Sequence, residues 1–274
     1  MTLGAELIPL TDLHSHLIPG VDDGARTLED SLEGIGRMFA EGITTIVTTP
    51  HLDGSLSRDP RSFEERLSQV DKGFRVVADA VRERFPKVTF RRGNEVMLDI
   101  PDPDLSDPRV HLAGNRFVLV EWPRLQIPPE TPAAIRGLAS QGIHIVIAHP
   151  ERYAGHDAHL SIVERWRGEG AWCQVNYGSL LGKYGPDARS RAFMLLERGW
   201  VDCFSSDFHG RPGLPLFVDG ARERFKELGA EEAWSLLTGT NPGRIVRGEP
   251  PIPVSPFEGK QRGLFARLLS RLRT

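Results

Sequence analysis

The chain has 274 residues, of which 39% are hydrophobic and 26% are charged, and its formal net charge at pH 7 is −3. This is the composition of a globular protein with a sizeable core, and the length suits one large α/β domain of the barrel size, about 250 residues. The slightly acidic balance gives no general attraction to nucleic acid, so nucleic acid is excluded as the default partner.

Short β-rich runs alternate with longer helical patterns along most of the chain, which is typical of βα units around a parallel sheet. The pattern predicts seven strands, at residues 6–13, 43–49, 88–92, 117–121, 143–148, 172–176 and 201–205. It also predicts helices at residues 28–41, 61–84, 132–141, 159–169 and 186–198. Thr27 and Asp30 have the spacing of a capping pair for the first of these helices.

A polar side chain, in most cases a possible metal ligand, follows every predicted strand. In a parallel barrel the C-terminal ends of all strands meet on one face, where such folds carry out their chemistry, so we expect these side chains to converge. In chain order they are His14 and His16 followed by Asp23, then His51, Glu95, Glu121, His149 with Arg152, Asn176, and Asp207 with His209.

Any one of these side chains alone is better explained as a satisfied core histidine or a helix-capping carboxylate. Their recurrence at successive strand ends is what favours a shared site. Four other histidines act as an internal control, because none of them directly follows a predicted strand, and no role is assigned to them. The control residues are His111, His144, His156 and His159.

Nine of the strand-end groups are imidazoles or carboxylates. A single zinc ion needs only three or four ligands, so nine predict two or three ions that share bridging carboxylates. The mixed nitrogen and oxygen set suits manganese, iron or zinc better than calcium. The nine candidate ligands are His14, His16, Asp23, His51, Glu95, Glu121, His149, Asp207 and His209.

The motifs at these strand ends resemble those of a known family. In order, the chain contains "DLHSHLIPGVDDG", "TTPH", "GNE", "VLVEWP", "AHPER", "NYGSLLGKYG" and "SSDFH". They resemble the polymerase and histidinol phosphatase (PHP) superfamily, and more closely its bacterial protein-tyrosine phosphatases of capsule and exopolysaccharide synthesis. The resemblance covers about residues 12–247. It implies a distorted seven-stranded (β/α) barrel with three metal ions, expected to be manganese, at the C-terminal strand ends.

The resemblance also implies a reaction and a partner. The reaction is hydrolysis of a phosphate monoester by a water that bridges two ions, and clustered cations suit it because the attacking and leaving oxygens both carry charge. The implied substrate is a tyrosine-phosphorylated protein, namely a membrane-anchored bacterial tyrosine kinase. One alternative is a small-molecule phosphatase of the histidinol-phosphate type. The other is a metal-stabilised interaction module without turnover, and the complete ligand set argues against this second alternative.

By position, the resemblance divides the ligands among three ions. One ion would take His14, His16, Glu95 and Asp207. A second ion would share Glu95 and add Glu121 and His149. The third ion would use Asp23, His51 and His209.

Two further residues are assigned through the same resemblance. Asp12 is implied to orient His14 or its neighbour, in the way that carboxylates fix imidazole ligands, and its alternative is a turn-forming aspartate. Arg152 is placed to hold a phosphoryl oxygen by a forked contact, and its alternative is a surface ion pair with Glu151.

The loop after the sixth predicted strand has two interpretations, which stay open here. It forms the rim against which a phosphotyrosine ring packs, or it caps the strand. The rim residues would be Tyr177, Ser179, Leu180 and Tyr184. Trp122 and Phe208 depart from the family pattern, and we expect them to reshape the mouth of the pocket.

The chain divides into a phosphatase domain at residues 1–247, a Pro-rich linker at residues 248–258 and a basic amphipathic tail at residues 259–274. The tail carries apolar residues at helical spacing together with five basic and no acidic residues. Such a tail either packs on the barrel as a last helix, or docks on an anionic membrane surface or an acidic partner.

Cysteine use and the N-terminus indicate the compartment. Cys173 and Cys203 are the only cysteines, and both lie in apolar runs, which favours buried thiols in a reducing cytosol over a disulfide. The start "MTLGAELIPL" lacks the basic and apolar regions of a secretion signal, and no stretch reaches the roughly 18 apolar residues of a membrane span. We therefore expect a cytoplasmic protein.

Overall fold

The computed structural model describes residues 9–256, which form nine strands in two parallel sheets. The strands are β1 (Leu10–Asp12), β2 (Ile43–Thr48), β3 (His51–Asp53), β4 (Thr89–Arg92), β5 (Glu95–Met97), β6 (Phe117–Glu121), β7 (His144–Ala148), β8 (Trp172–Asn176) and β9 (Cys203–Ser205). The first sheet has the order β1-β2-β4 and the second has the order β3-β5-β6-β7-β8-β9.

Nine α-helices lie among the described residues. They are α1 (Leu28–Ala40), α2 (Pro60–Arg84), α3 (Thr131–Ala139), α4 (Ser161–Gly168), α5 (Tyr177–Leu180), α6 (Pro186–Glu197), α7 (Val218–Glu227), α8 (Glu231–Ser235) and α9 (Asn241–Val246). The Thr27 side chain accepts from the Asp30 N–H at 3.1 Å, and the Asp30 carboxylate accepts from the Thr27 N–H at 3.2 Å, so the predicted capping pair is confirmed. The five predicted helices are confirmed to within a few residues, whereas α5 and α7 to α9 were not predicted.

Two of the predicted strands are each followed, after a break of two residues, by a short strand that was not predicted. The predicted strand at residues 43–49 becomes β2, stops before Pro50 and resumes as β3, because proline has no N–H to donate to a ladder. The predicted strand at residues 88–92 becomes β4, and β5 follows after a two-residue break. The Asn94 side chain donates to the Pro50 carbonyl at 2.9 Å and joins the two interruptions. The parallel α/β architecture is confirmed, but residues 9–256 contain nine short strands where seven were predicted.

Alternation along the strands decides which side chains face inward. On β6, Phe117 and Leu119 belong to a small apolar cluster inside the strands, whereas Val118 and Val120 belong to the larger core beneath the helices. Glu121 continues the inward series of Phe117 and Leu119. The inner side of β6 therefore changes from apolar to acidic at its C-terminal end.

The chain just past β1 is hydrogen-bonded to the chain just past β9. The Asp207 N–H donates to the His14 carbonyl at 2.9 Å, and the His16 N–H donates to the Phe208 carbonyl at 2.8 Å. This seam brings the first and the last strand of the described chain together at their C-terminal ends, although about 190 residues separate them.

The Pro-rich segment predicted as a linker lies against the body of the protein in its described part. Asn241 donates to the Ile252 carbonyl at 3.0 Å and accepts from the Ile252 N–H at 2.8 Å, and Val254 packs against the main core. The predicted tail at residues 259–274 and the start of the first predicted strand lie outside the described residues. Between residues 9 and 256, no helix combines the length and the apolar character that crossing a membrane requires.

Candidate metal centre

Four predicted ligands meet beside the seam between β1 and β9. His14 Nε2 lies 3.1 Å from Glu95 Oε2 and 3.5 Å from Asp207 Oδ1. His16 Nε2 lies 3.5 Å and 3.7 Å from the same two oxygens, and 3.3 Å from His14 Nε2. Ligands with bonds of about 2.1 Å to one ion lie about 3–3.5 Å apart, so these spacings are close to those of a shared metal site. All four residues are buried.

Glu95 connects this group to a second one. Its Oε1 lies 3.0 Å from His149 Nε2, and its Oε2 lies 3.1 Å from His51 Nδ1. Glu121 approaches the same two imidazoles, at 3.9 Å from His149 Nε2 and 3.3 Å from His51 Nδ1. Glu95 is therefore placed where a carboxylate shared by two ions would lie.

The third group lies at the outer edge of the cluster. Asp23 Oδ1 lies 3.4 Å from His51 Nε2 and 3.3 Å from His209 Nε2, and the His209 ring stacks on His16 at 4.3 Å between centroids. The Asp23 loop lies close against the chain that follows β1, so only glycine fits at position 24, where a Cβ would clash with the His16 carbonyl oxygen. The Asp23 side chain is 62% exposed, so this group is open to solvent.

Asp12 holds the main chain of the seam and not an imidazole. Its Oδ1 accepts from the His14 N–H at 3.1 Å and its Oδ2 accepts from the Ser206 N–H at 2.7 Å. Burial raises the pKa of Asp12 to about 6. The predicted contact with an imidazole is wrong, because the seam leaves two N–H groups that take both carboxylate oxygens, so that Asp12 bonds to the backbone of His14 and not to its ring.

The imidazoles of His14 and His16 are held by two residues that sequence analysis missed. His14 Nδ1 lies 2.9 Å from Gln174 Oε1, and His16 Nδ1 lies 2.7 Å from Asp22 Oδ2. Asp22 also accepts from the His51 N–H at 3.2 Å. The available signal for Asp22 was its place in the "VDDG" turn, and for Gln174 it was the inward position on β8, two residues before Asn176.

Opposed effects of burial and charge set the pKa values of the cluster. Burial lowers the pKa of His16 and of His51, but their carboxylate neighbours outweigh it and raise the two values to about 10 and about 11. Burial raises the pKa of Asp207, but His14, His149 and Arg152 outweigh it and hold the value at about 2. The carboxylates are therefore held in the charged form that binds cations.

Two of the predicted ligands have an unusual backbone conformation. His149, just past β7, has φ 36°, and Asp207, just past β9, has φ 52°. A side chain in this left-handed region costs about 1–3 kcal/mol, and such residues cluster at functional sites. The conformation turns the chain sharply at the strand end.

A cavity of about 230 Å³ lies over the cluster. Arg152 Nη1 donates to Asp207 Oδ2 at 2.6 Å, and the guanidinium lies 4.2 Å from the centre of the Tyr184 ring. Arg152 thus pairs inside the site, and not with Glu151, which is buried. Lys183, which sequence analysis missed, also lines the cavity, with Nζ 5.2 Å from the centre of the Tyr184 ring.

The donor set fits divalent metal ions. Four overlapping groups bring three or four donor atoms within 4.8 Å of one another, and imidazole mixed with carboxylate suits manganese, iron or zinc. The groups are His16, Asp23, His51 and His209; His14, Glu95 and His149; His14, His16 and Asp207; and His51, Glu95 and Glu121. All nine predicted ligands therefore lie in one connected cluster.

The family model for capsular polysaccharide synthesis proteins CpsB/CapC matches residues 10–247. The chain belongs to the CpsB/CapC family. It is 28% identical over 261 residues to the tyrosine-protein phosphatase YwqE of Bacillus subtilis, and the alignment covers 93% of this chain and 99% of that protein. It is also 28% identical over 244 residues to the tyrosine-protein phosphatase CpsB of Streptococcus agalactiae, and the alignment covers 83% of this chain and 98% of that protein.

Solved structures share the fold of this CpsB/CapC chain. One match comes from the crystal structures of YwqE from Bacillus subtilis and CpsB from Streptococcus pneumoniae, which are described as metal-dependent tyrosine phosphatases. It has a TM-score of 0.73 at 24% identity, and the alignment covers 91% of this chain and 100% of that one. The phosphotriesterase homology protein from Escherichia coli, complexed with phosphate in its active site, matches with a TM-score of 0.52 at 12% identity over 88% of this chain and 100% of that one.

The loop after β8 folds inward in this CpsB/CapC chain. Tyr177 is fully buried and stacks on Phe204 at 5.7 Å between centroids, and Ser179 and Leu180 are also fully buried. The chain enters helix α5 directly after β8, which turns these side chains toward the core. The prediction that they form a substrate rim is wrong for Tyr177, Ser179 and Leu180, and of the predicted rim residues only Tyr184 lines the cavity.

The two departures from the family pattern do not reach the cavity mouth. Trp122 is buried and packs against Trp166 at 5.8 Å between centroids, and Phe208 is buried with the Arg37 guanidinium 5.3 Å from its ring centre. Each directly follows a predicted ligand but packs into the main core, away from the residues that line the cavity. The expectation that these residues reshape the mouth is wrong.

The four control histidines stay apart from the cluster. Between residues 9 and 256, none of them belongs to a group that could hold a metal ion. His111 Nε2 lies 2.7 Å from the Leu105 carbonyl and His156 Nε2 lies 2.7 Å from the Pro150 carbonyl, so both bond locally. The histidines at strand ends therefore differ from the four control histidines, because only those at strand ends belong to the described cluster.

Proposed function

We propose that the protein is a metal-dependent phosphatase that hydrolyses phosphotyrosine in a protein substrate. The observation that carries the proposal is the cluster of nine imidazole and carboxylate groups that shares one cavity with the guanidinium of Arg152. The names of the relatives YwqE and CpsB, both tyrosine-protein phosphatases, support the same substrate class. Manganese is the proposed metal, with iron and zinc as the other ions that suit the donor set.

We assign the ligands to three ions. The first takes His14, His16, Glu95 and Asp207; the second takes Glu95, Glu121 and His149; and the third takes Asp23, His51 and His209. We also propose that β2 with β3, and β4 with β5, each serve as one strand of a barrel with seven strand positions. Ions bound by these residues would lower the pKa of water, so that hydroxide is available to attack phosphorus at neutral pH, and would neutralise charge on the phosphoryl oxygens.

The protein contributes cations of its own at the cavity. Asp207 and the face of Tyr184 hold Arg152 on two sides, which leaves its other N–H groups to bind a phosphoryl oxygen. The Lys183 ammonium lies over the rings of Tyr184 and Phe217 at the edge of the cavity, where it can approach an anion at the mouth. Leu125 and Tyr184 line the same cavity and offer apolar surface to a tyrosyl ring.

Accessibility favours a protein substrate. The Asp23 side chain is 62% exposed and that of His51 is 37% exposed, so the outermost ligands lie at the surface. A phosphotyrosine that projects from a protein can therefore approach the cluster directly. A small phosphorylated amino alcohol would be better served by a narrower, more enclosed site.

The first experiment compares substrates. With manganese present, the full chain is given a phosphotyrosine peptide and histidinol phosphate, and we expect kcat/KM for the peptide to be higher by more than about tenfold. The opposite preference would identify a small-molecule phosphatase. Hydrolysis of neither substrate by metal-loaded protein would identify an interaction module without turnover.

The second experiment counts ions. Elemental analysis after manganese reconstitution should find more than one ion per chain, because the ligands form four groups that overlap through Glu95 and three of the histidines. One ion or fewer at saturation would contradict the assignment.

The third experiment tests individual ligands. His51→Ala or His209→Ala should lower kcat by about a hundredfold with little effect on folding, since both lie at the open edge of the cluster. His159→Ala is the matched control, because this exposed histidine lies outside the cluster and should leave kcat unchanged. A folded, metal-loaded His209→Ala protein with full activity would remove that residue from the assignment.

We place the protein in the cytoplasm. We propose a membrane-anchored bacterial tyrosine kinase as its substrate, and we propose that the basic tail at residues 259–274 brings the enzyme to the membrane surface. The sign and spacing of the tail residues support this role. Liposome flotation of the full chain should show binding to anionic vesicles that a chain ending at Pro256 lacks. Equal binding by both chains, or binding by neither, would overturn the membrane role of the tail.

A further inference from the structure

Two amide side chains on β8 connect two of the predicted metal ligands. Gln174 and Asn176 lie two residues apart on the inner side of the strand and are fully buried. Gln174 Oε1 lies 2.9 Å from His14 Nδ1, and Gln174 Nε2 donates to Asn176 Oδ1 at 2.9 Å. Asn176 Nδ2 donates to Asp207 Oδ2 at 2.8 Å. We call this chain of three hydrogen bonds the amide relay.

The direction of the amide relay is fixed at its carboxylate end. An ionised aspartate only accepts hydrogen bonds, so Asn176 must present its NH₂ group to Asp207 and its carbonyl oxygen to Gln174. Gln174 must then present its own NH₂ group to Asn176 and its oxygen to His14. His14 meets an acceptor at Nδ1 and must carry its proton there.

In the neutral imidazole, which is the form that binds a metal ion, this direction leaves the free lone pair on His14 Nε2, and Nε2 is the atom that faces Glu95 and Asp207. We propose that Gln174 and Asn176 are positioning residues that fix the tautomer of His14 and the orientation of Asp207, so that both are ready to bind the same ion. This inference rests on the proposed metal centre. It goes beyond the ligand assignment because neither amide is among the nine assigned ligands.

The main chain of β8 is itself held in place. The strand pairs with β7 and β9, with Gln174 opposite Ala148 and Cys203. The Asn176 N–H donates to a carboxylate oxygen of the buried Glu151 at 3.0 Å. The two amides therefore stand on a rigid strand, which makes the relay suited to orienting ligands and not only to filling space.

One substitution separates the relay from a simple contact. If Gln174 acted only as an acceptor for His14, then Gln174→Glu would strengthen the interaction, since a carboxylate makes a bound imidazole a better ligand. In the relay, however, a glutamate cannot donate to Asn176. Two oxygens would then face each other, and Asn176 could satisfy the new carboxylate only by turning its own oxygen toward Asp207.

The experiment measures manganese affinity of the full chain by electron paramagnetic resonance of the free ion. We expect Gln174→Met and Gln174→Glu each to weaken the binding of one ion, the one held by His14 and Asp207, about 10- to 100-fold. Asn241→Ala is the matched control, because Asn241 is a buried amide that bonds Ile252 and the Asp202 carbonyl and touches no predicted ligand. It should lower the melting temperature without changing manganese affinity.

The outcomes distinguish the relay from the centre on which it rests. Wild-type protein that binds no manganese would overturn the metal centre and the relay together. Normal binding by the wild type with equal or tighter binding by Gln174→Glu would overturn the relay alone. Independently of any variant, ¹⁵N NMR of the zinc-loaded wild type should show His14 protonated at Nδ1, and protonation at Nε2 would also overturn the relay.

Discussion

The two ends of β9 carry two buried aspartates, each paired with an arginine, and they serve different purposes. Asp202 precedes the strand, pairs with Arg167 and accepts from the Cys173 N–H at 2.7 Å. Asp207 follows the strand and pairs with Arg152 at 2.6 Å. Burial and an ion pair are common to both residues. By themselves these two properties therefore do not identify a functional carboxylate.

The second oxygen of each carboxylate makes the difference. At Asp202 the two oxygens face only the guanidinium and a backbone N–H, so the group is satisfied. At Asp207, Oδ1 faces the imidazole nitrogens of His14 and His16 at 3.5 and 3.7 Å. Burial accordingly raises the pKa of Asp202, whereas surrounding cations hold that of Asp207 at about 2. A carboxylate that faces several other ligands indicates a metal site.

The largest expected effect is on catalysis by Asp207→Ala. This change removes an oxygen shared by several imidazoles together with the anchor of Arg152, and we expect kcat to fall by about 10²- to 10³-fold. Steady-state kinetics on a phosphotyrosine peptide, with circular dichroism to verify folding, measures it. A folded variant with wild-type kcat would show that the two ends of β9 do not differ in the proposed way.

The matched change at the other end should affect stability instead. Asp202→Ala leaves Arg167 partly buried without its carboxylate, and we expect the free energy of unfolding to fall by about 3 kcal/mol. Urea unfolding measures this loss, and kcat per folded molecule should be unchanged. A loss of kcat as large as that of Asp207→Ala would contradict the division between the two ends.

Manganese should stabilise the protein through Asp207, which follows β9, and not through Asp202, which precedes it. At about 100 times its dissociation constant, an ion that binds only the folded chain stabilises it by about 2.7 kcal/mol, which raises the melting temperature by several degrees. The rise should persist in Asp202→Ala, shrink in Asp207→Ala and disappear with a chelator. An equal rise in both variants would show that Asp207 does not hold an ion.

Metal binding should also release protons. The folded pKa values of His16 and His51, about 10 and about 11, lie above the unfolded value of about 6.5, so in chelated protein both imidazoles are protonated at pH 7.5. Their pairing stabilises the chelated fold fully below about pH 6.5 and is lost as the pH rises through about 10. Calorimetric titration in two buffers should show release of up to about two protons on manganese binding. Binding without proton release would contradict these shifts.

The smallest effect concerns the thiols near Asp202. Burial raises the pKa of Cys173 to about 12, so a thiol reagent at pH 8 should react slowly with native protein. Asp202→Ala removes the acceptor of the Cys173 N–H and should speed labelling about tenfold through local opening, whereas Asp207→Ala should not. Similar labelling of both variants would mean that local opening spreads along the whole strand.

The pattern of strands in the sequence predicted the place of the cluster, because that place depends only on which residues directly follow a strand. His51 and Glu121 are examples, since each comes at the C-terminal end of an apolar run and the parallel fold brings them together. The interruption at Pro50 changed the strand count without moving His51 away from Glu95, which pairs with it in the ladder.

The errors in prediction have definite physical causes. Gln174 was overlooked because an amide is not a metal ligand, and its importance depends on His14, which lies 160 residues away in the sequence, and on Asn176 of the same strand. Tyr177 was placed at the rim because aromatic residues suit substrate binding, but the immediate start of α5 turns it into the core. Asp22 and Asp23 are adjacent carboxylates in one turn, and only the folded turn shows that the first supports His16 while the second faces solvent.

The left-handed residues at the ends of β7 and β9 have a consequence for protein engineering. His149 and Asp207 reach the centre only because their backbone leaves the regular path of the strand. A designer who transfers the nine side chains to another barrel with ideal strands would obtain the correct composition but the wrong directions for these two. The transfer must therefore copy two pieces of backbone, and glycine, which adopts them most easily, cannot be used because it has no side chain to bind an ion.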